Sequence, residues 1–165
     1  MPNLREQLQQ LFEGRVCLMG LGNVLYGDDG FGVRLAEELK AKDLRSHVMD
    51  IIVAGTTPDR FVGRVADESF DHLIFLDAVE FGGAPGSVVL LNSDEMATRY
   101  PQISTHKISL GLLAKWAEAN GRTKAWVLGV QPESLTPGGE LTPAVRATLE
   151  LLLELVRDVS LEVMA

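Results

Sequence analysis

Three side chains of metal-ligand type lie close to the ends of apolar segments in this chain of 165 residues. Asp29 lies in a glycine-rich loop after the first apolar segment, Asp77 ends the most apolar one, and His106 precedes an amphipathic segment. Two carboxylates and one imidazole suit a divalent transition metal. Open α/β sheets bind ligands at the carboxyl ends of their strands. If the apolar segments are strands of such a sheet, the candidate metal site is at the edge formed by their carboxyl ends.

Each of these residues also has a purely structural interpretation. Helix starts favour aspartate as an N-cap and in the first turn, so we expect Asp28 to cap a helix and Asp29 to be the freer of the pair. Asp77 lies beside a desolvated strand, and its carboxylate therefore needs a backbone donor or a cation. His106 alone resembles an ordinary helix-start residue.

The elements that must position these residues alternate between strand and helix. Apolar runs predict strands at 15–20, 47–53, 72–79, 86–92 and 124–131. Apolar spacing predicts helices at 3–12, 31–42, 55–68, 106–120 and from 142 onward. The buried stripe predicted for the last helix is Val145, Leu149, Leu152, Val156 and Val159. This order predicts a single α/β domain over residues 1–165, a three-layer α/β/α sandwich whose mixed, mostly parallel sheet has about five strands. The short connection before 86–92 predicts a hairpin-like antiparallel edge strand.

The composition limits the classes of binding partner and the cellular location that we expect. The formal net charge is −8, which removes the phosphate attraction that nucleic acids and anionic membranes require. No apolar run approaches the roughly 18 residues that span a bilayer, so we expect no membrane insertion. The single cysteine, Cys17, cannot form an internal disulfide, and we expect a cytoplasmic protein.

Two other kinds of site fit the chain less well. Gly20 and Gly22 suggest a dinucleotide loop, but position 25 is Leu where the fingerprint needs a third glycine. Asp50 has the spacing of a ribose contact but lies inside a predicted strand. No Gly-x-Ser-x-Gly or His-Glu-x-x-His motif occurs, and these absences disfavour serine and zincin hydrolases. Cysteine hydrolases are disfavoured because Cys17 is mid-strand; we assign it, Trp116 and Trp126 to packing.

The ordered motifs of the chain resemble those of the hydrogenase maturation endopeptidases. The matching segments are Gly20-Leu21-Gly22-Asn23, Gly27-Asp28-Asp29-Gly30-Phe31-Gly32-Val33, Leu76-Asp77-Ala78, Thr105-His106, Gly129-Val130-Gln131-Pro132-Glu133 and Leu141-Thr142-Pro143. The resemblance implies a protease that removes the C-terminal peptide of a [NiFe] hydrogenase large-subunit precursor. It also implies that Asp29, Asp77 and His106 are catalytic and bind nickel.

In this family the nickel is already installed in the precursor, and other divalent metals could occupy the site. The resemblance implies that docked nickel polarises the scissile carbonyl or activates a water whose proton one carboxylate accepts. Many members carry an aspartate where this chain has Val53. Val53 leaves open a non-proteolytic nickel or large-subunit chaperone on the same scaffold. A nucleotide-binding domain is the second alternative.

Overall fold

Strands and helices alternate along the chain in the computed structural model, which describes residues 2–42, 49–98 and 108–164. The strands are β1 (Val16–Leu21), β2 (Met49–Gly55), β3 (His72–Ala78), β4 (Val88–Asn92) and β5 (Lys124–Val130). The helices are α1 (Leu4–Leu11), α2 (Phe31–Ala41), α3 (Val62–Glu68), α4 (Ser93–Thr98), α5 (Leu110–Glu118) and α6 (Pro143–Met164). Short 3-10 helices, Gly27–Gly30 and Pro58–Arg60, precede α2 and α3.

The strands form one five-stranded sheet in the order β2-β1-β3-β5-β4. β1 pairs in parallel with β2 and β3, and β3 pairs in parallel with β5. β4 is the antiparallel edge strand, as predicted, but its neighbour is β5. The hairpin expected from the short connection was wrong, because that connection carries the chain past β5 to the outer edge.

Helices cover both faces of the sheet and confirm the three-layer prediction. On one face α1, α2 and α6 pack over β-strand residues such as Leu18, Ile74 and Leu128. On the other face α3, α4 and α5 pack over Met19, Phe75 and Val127. The predicted stripe of α6 is buried throughout, at Val145, Leu149, Leu152, Val156 and Val159. None of the helices in the described ranges is long and apolar enough to cross a membrane.

Several element boundaries differ from the prediction. The helix expected at 106–120 is α-helical from Leu110, where the Ser109 side chain accepts a bond from the Leu112 N–H at 3.2 Å. Residues 106 and 107 lie outside the described residues, as do 47 and 48 of the predicted second strand. The helix expected at 55–68 is a 3-10 turn followed by α3. Six-residue α4 was not predicted because it is too short to display a period.

The two tryptophans pack less completely than predicted. Trp116 on α5 is 45% exposed, so its packing is only partial. Its ring packs against Gly63 of α3. Trp126 is half-buried on β5, where its indole N–H donates to His72 Nδ1 at 3.2 Å. Cys17 and Met19 are fully buried, as expected.

The start of α2 lies against the carboxyl ends of β1 and β3 at backbone contact. A Cβ on Gly32 would lie 1.9 Å from the Leu76 carbonyl oxygen. A Cβ on Gly20 would lie 2.5 Å from the Gly32 carbonyl oxygen. Real Cβ atoms do not approach backbone this closely, so glycine at both positions brings helix and sheet together.

Asp28 holds the loop after β1 to the last loop, residues 131–142. Its buried carboxylate accepts bonds from the Glu133 and Ser134 N–H groups at 2.8 and 3.1 Å. The N–H of Thr142 donates at 2.7 Å, and the Thr142 hydroxyl donates as well. Asp28 lies in the first turn of the 3-10 helix, where an acidic residue is favoured, but it is not an N-cap, since no side chain caps either the 3-10 turn or α2. Its carboxylate has a structural role, because it binds residues that are more than 100 positions away in the sequence.

Replacing Gly32 with alanine will strongly destabilise the fold. The new methyl group meets the Leu76 and Leu21 carbonyl oxygens, which cannot move without displacing β1 and β3. We expect Gly32→Ala to lower the free energy of unfolding by about 3 kcal/mol, measured by urea denaturation. Gly111→Ala is the matched control, because space is open at that position of α5 and alanine favours helix. Equal stability of the two variants would contradict the close approach.

Replacing Asp28 with asparagine will also destabilise the protein. The substitution replaces one acceptor oxygen of the carboxylate with an NH2 group. This donor would then face a backbone N–H donor in a buried site. We expect Asp28→Asn to cost about 3 kcal/mol of unfolding free energy. The control is Asp67→Asn, an exposed residue of α3, which should change stability by less than about 0.5 kcal/mol. A loss at Asp28 no larger than the control's would contradict the structural role.

Candidate metal site

Asp29 projects from the 3-10 turn that precedes α2, and it is 9% exposed. Its Oδ2 accepts a bond from the Asn23 N–H at 2.9 Å. Its backbone carbonyl lies against Gly22, where a Cβ would come within 1.9 Å of the oxygen. Gly22 has φ +123°, a conformation that favours glycine. The turn at Gly22 therefore fixes Asp29 from two sides.

Asp77 lies at the carboxyl end of central strand β3 and is fully buried. In the sheet it is opposite Gly129 of β5. Its Oδ1 lies 3.8 Å from the position that a Cβ on Gly22 would take. Asp29 and Asp77 thus both border the turn at Gly22 and Asn23, and the structure brings these two predicted residues to the same edge.

The third predicted residue, His106, lies outside the described residues. Within the described ranges, no group of three or more His, Cys, Asp or Glu side chains could hold a metal ion. Two carboxylates supply only oxygen ligands, and a nitrogen ligand would complete a set typical of a transition metal. The contribution of His106 stays a prediction.

Other residues with reactive side chains lie elsewhere. His72 begins β3, at the opposite end of the sheet from Asp77, and burial lowers the pKa of its imidazole. Burial raises the pKa of the Cys17 thiol far above its usual range. A protonated, inaccessible thiol cannot act as a nucleophile at neutral pH. Neither residue competes with the carboxylates as the reactive centre.

Val53 of edge strand β2 occupies the position where many members of the similar family carry an aspartate. It pairs with Gly20 of β1. It packs with the cluster beneath α1, α2 and α6. Asp50 is three residues earlier, and alternation places it on the other face of the strand. Asp50 therefore does not replace an aspartate at position 53.

Gln131 is a supporting residue that the sequence analysis missed. Its side-chain oxygen accepts bonds from the Phe81 and Gly83 N–H groups at 3.0 and 3.2 Å. Its amide nitrogen donates to Glu80. Gln131 thus joins the loop after β3 to the loop after β5, beside Asp77. Its position directly after a buried strand, at the same edge as Asp77, was the available signal.

Exposed apolar side chains surround this edge. Leu25 and Tyr26 follow the turn at Asn23 and are 64% and 44% exposed, and Leu135 of the last loop is also exposed. The two loops are joined by a bond from the Gly138 N–H to the Leu25 carbonyl. We refer to Leu25, Tyr26 and Leu135 as the apolar rim.

Comparison with known proteins identifies the family. The family model described as hydrogenase maturation protease matches residues 33–159, a range that includes Asp77 and His106. The Hydrogenase 2 maturation protease of Escherichia coli K12 is 34% identical over 146 residues, which cover 86% of this chain and 88% of that protein. These matches confirm the resemblance read from the motifs.

Solved structures agree with the sequence matches. The [NiFe] hydrogenase maturation protease HycI from Thermococcus kodakarensis superposes with a TM-score of 0.81 at 30% identity, covering 93% of this chain and 98% of that one. The hydrogenase maturating endopeptidase HybD from E. coli gives a TM-score of 0.71 at 34% identity, covering 86% and 89%. The chain therefore belongs to the hydrogenase maturation protease family, and it is a hydrolase of the endopeptidase type.

Proposed function

We propose that this endopeptidase removes the C-terminal peptide from a [NiFe] hydrogenase large-subunit precursor, and that it recognises nickel carried by that precursor. The observation that carries the proposal is the placement of Asp29 and Asp77 on either side of the turn at Gly22. Membership of the family gives the reaction class. The name of the Thermococcus relative includes [NiFe] hydrogenase, which supports the choice of substrate.

The donor set fits an incoming nickel ion. Asp29 and Asp77 would supply carboxylate oxygens, and His106 would supply the imidazole nitrogen that complements them. Both carboxylates are attached to backbone that is held rigidly by the glycine contacts and the Asp28 bonds. A rigid set of ligands loses little freedom on binding, which favours recognition of a metal already held by another protein.

The same carboxylates can take part in peptide hydrolysis. Nickel in the precursor would supply Lewis acidity toward the scissile carbonyl. One carboxylate, Asp29 or Asp77, would accept the proton of the attacking water, and that group would later return a proton to the leaving amine. Burial of Asp77 inside the sheet limits the solvent around these steps.

The apolar rim gives the precursor a surface to contact. Leu25, Tyr26 and Leu135 expose apolar area directly beside the proposed ligands, where a protein substrate would cover it. The chain carries a net charge of −8, which favours association with a basic extension at low salt. We also propose a cytoplasmic location, supported by the single, buried and unpaired cysteine Cys17.

Replacing Asp77 with asparagine will abolish cleavage without unfolding the protein. The side chain keeps its size but loses the charge that binds the metal and accepts the proton. We expect the cleavage rate of a nickel-loaded precursor to fall at least 100-fold, measured from the intact masses of precursor and products. Asp29→Asn should behave alike. Asp50→Asn is the matched control, a carboxylate of the same sheet on β2, and it should cleave normally.

The same experiment includes the precursor without nickel. Cleavage of only the nickel-loaded form, lost in Asp77→Asn, supports the proposal. Equal cleavage of both forms would contradict the recognition of nickel. A stable complex with no change of mass would contradict the protease and support a chaperone, and Val53→Asp would then test the missing carboxylate.

A further inference from the structure

A cavity of about 300 Å³ opens beside the proposed metal site. Its walls are formed by Arg34 of α2, Glu140 and Leu141 of the last loop, and Arg146 of α6. Arg34 reaches back toward the site, because its Nε lies 3.4 Å from the position that a Cβ on Gly30 would take. Gly30 directly follows Asp29, so the cavity adjoins the ligand loop.

Arg34 is a partly buried cation whose Nε–H has no hydrogen-bond acceptor in the part of the chain that the structure describes. Its Nε is buried and has no hydrogen-bond partner, and no bond or ion pair joins its guanidinium to another residue of the described ranges. Partly buried charges are normally paired, since an unpaired one loses solvation without compensation. A group that enters the cavity could supply the missing acceptor.

The second arginine of the cavity is already paired. Arg146 donates to Glu38 at 3.2 Å and to Glu150 at 3.3 Å. These carboxylates neutralise Arg146, and Glu140 adds a further negative charge to the lining of the cavity. Among the described residues, Arg34 is therefore the arginine of this cavity that has no carboxylate bound to it, and a singly charged acceptor suits it better than a dianion such as phosphate, which Glu140 and Glu38 would repel.

We propose that Arg34 binds a carboxylate of the peptide substrate, and so contributes to substrate specificity. This inference rests on the proposed function, because the substrate peptide must lie across Asp29 and Asp77. The Nε of Arg34 lies beside Gly30, the residue that follows Asp29, so a peptide bound at Asp29 can extend to Arg34. A guanidinium pairs with a carboxylate through two parallel bonds, which supplies direction as well as charge.

The carboxylate could belong to an aspartate or glutamate side chain or to a chain terminus. Both present the same planar pair of oxygens to Arg34. Small blocked probes separate them: acetyl-aspartate N-methylamide carries only the side-chain group, and acetylglycine carries only the terminal one. Acetyl-asparagine N-methylamide is the neutral control of equal size.

Binding can be measured without any cleavage. In the full chain labelled with ¹⁵N, the Nε–H resonance of Arg34 is assigned by its loss in Arg34→Lys. We expect it to shift saturably with at least one carboxylate probe at millimolar concentration, and not with the asparagine probe. Arg146→Gln is the matched control and should keep the response. No saturable shift with either carboxylate probe, or a response equal for the neutral probe, would overturn the proposal.

Kinetics give a second and separable test. With a cleavable precursor, Arg34→Gln should raise KM about 10-fold and leave kcat within about twofold, because the residue binds substrate away from the scissile bond. A fall in kcat with unchanged KM would contradict the specificity role. If no form of the enzyme cleaves but the probes bind, the proposed function fails while the carboxylate site stands. If cleavage occurs and no probe binds, only this inference fails.

Discussion

The approach of α2 to the sheet at backbone distance is the constraint on which the rest of the site depends. Gly32 lies against Leu76 of β3, and Gly20 lies against Gly32. Side chains at these positions would push the helix away from the strand ends. Because the helix starts so close, the turn before it must fold back over β1, and that turn carries Asp29 to the edge where β3 ends with Asp77.

Two adjacent aspartates then have different tasks. Asp28 is turned inward, and its carboxylate accepts hydrogen bonds from backbone and hydroxyl donors of the last loop. Asp29 is turned toward the β1 turn, where Asn23 holds one of its oxygens. Asp28 thus fixes the backbone of Asp29, the proposed metal ligand. Gln131 provides a similar link on the other side of Asp77, so three loops are joined around the site.

The sequence predicted the features that depend on local periodicity. The stripe of α6 and the unbroken apolar run of β3 both agree with the structure, because burial on one face or on both leaves a pattern in the chain. The placement of Asp29 and Asp77 at one edge followed from the parallel order of the strands. These expectations needed no knowledge of distant contacts.

Features that depend on distant partners could not be predicted. The donors to Asp28 are 105 to 114 residues away, and no local pattern distinguishes such an aspartate from an N-cap. The neighbour of β4 depends on which strand lies next to β3 inside the sheet. The length of the connection between β3 and β4 does not determine this. Trp116 lies in an apolar helix yet is 45% exposed, and the apolar spacing of α5 does not show how much of the ring its neighbour α3 covers.

The proposed function requires Asp29, Asp77 and His106 to bind a single metal ion. The most direct measurement is an anomalous diffraction map from crystals of the protein soaked in a nickel salt. We expect one nickel peak bonded to both carboxylates and to the His106 imidazole, at distances of about 2.0–2.2 Å. A peak bound elsewhere, with Asp29 and Asp77 making no contact to nickel, would contradict it.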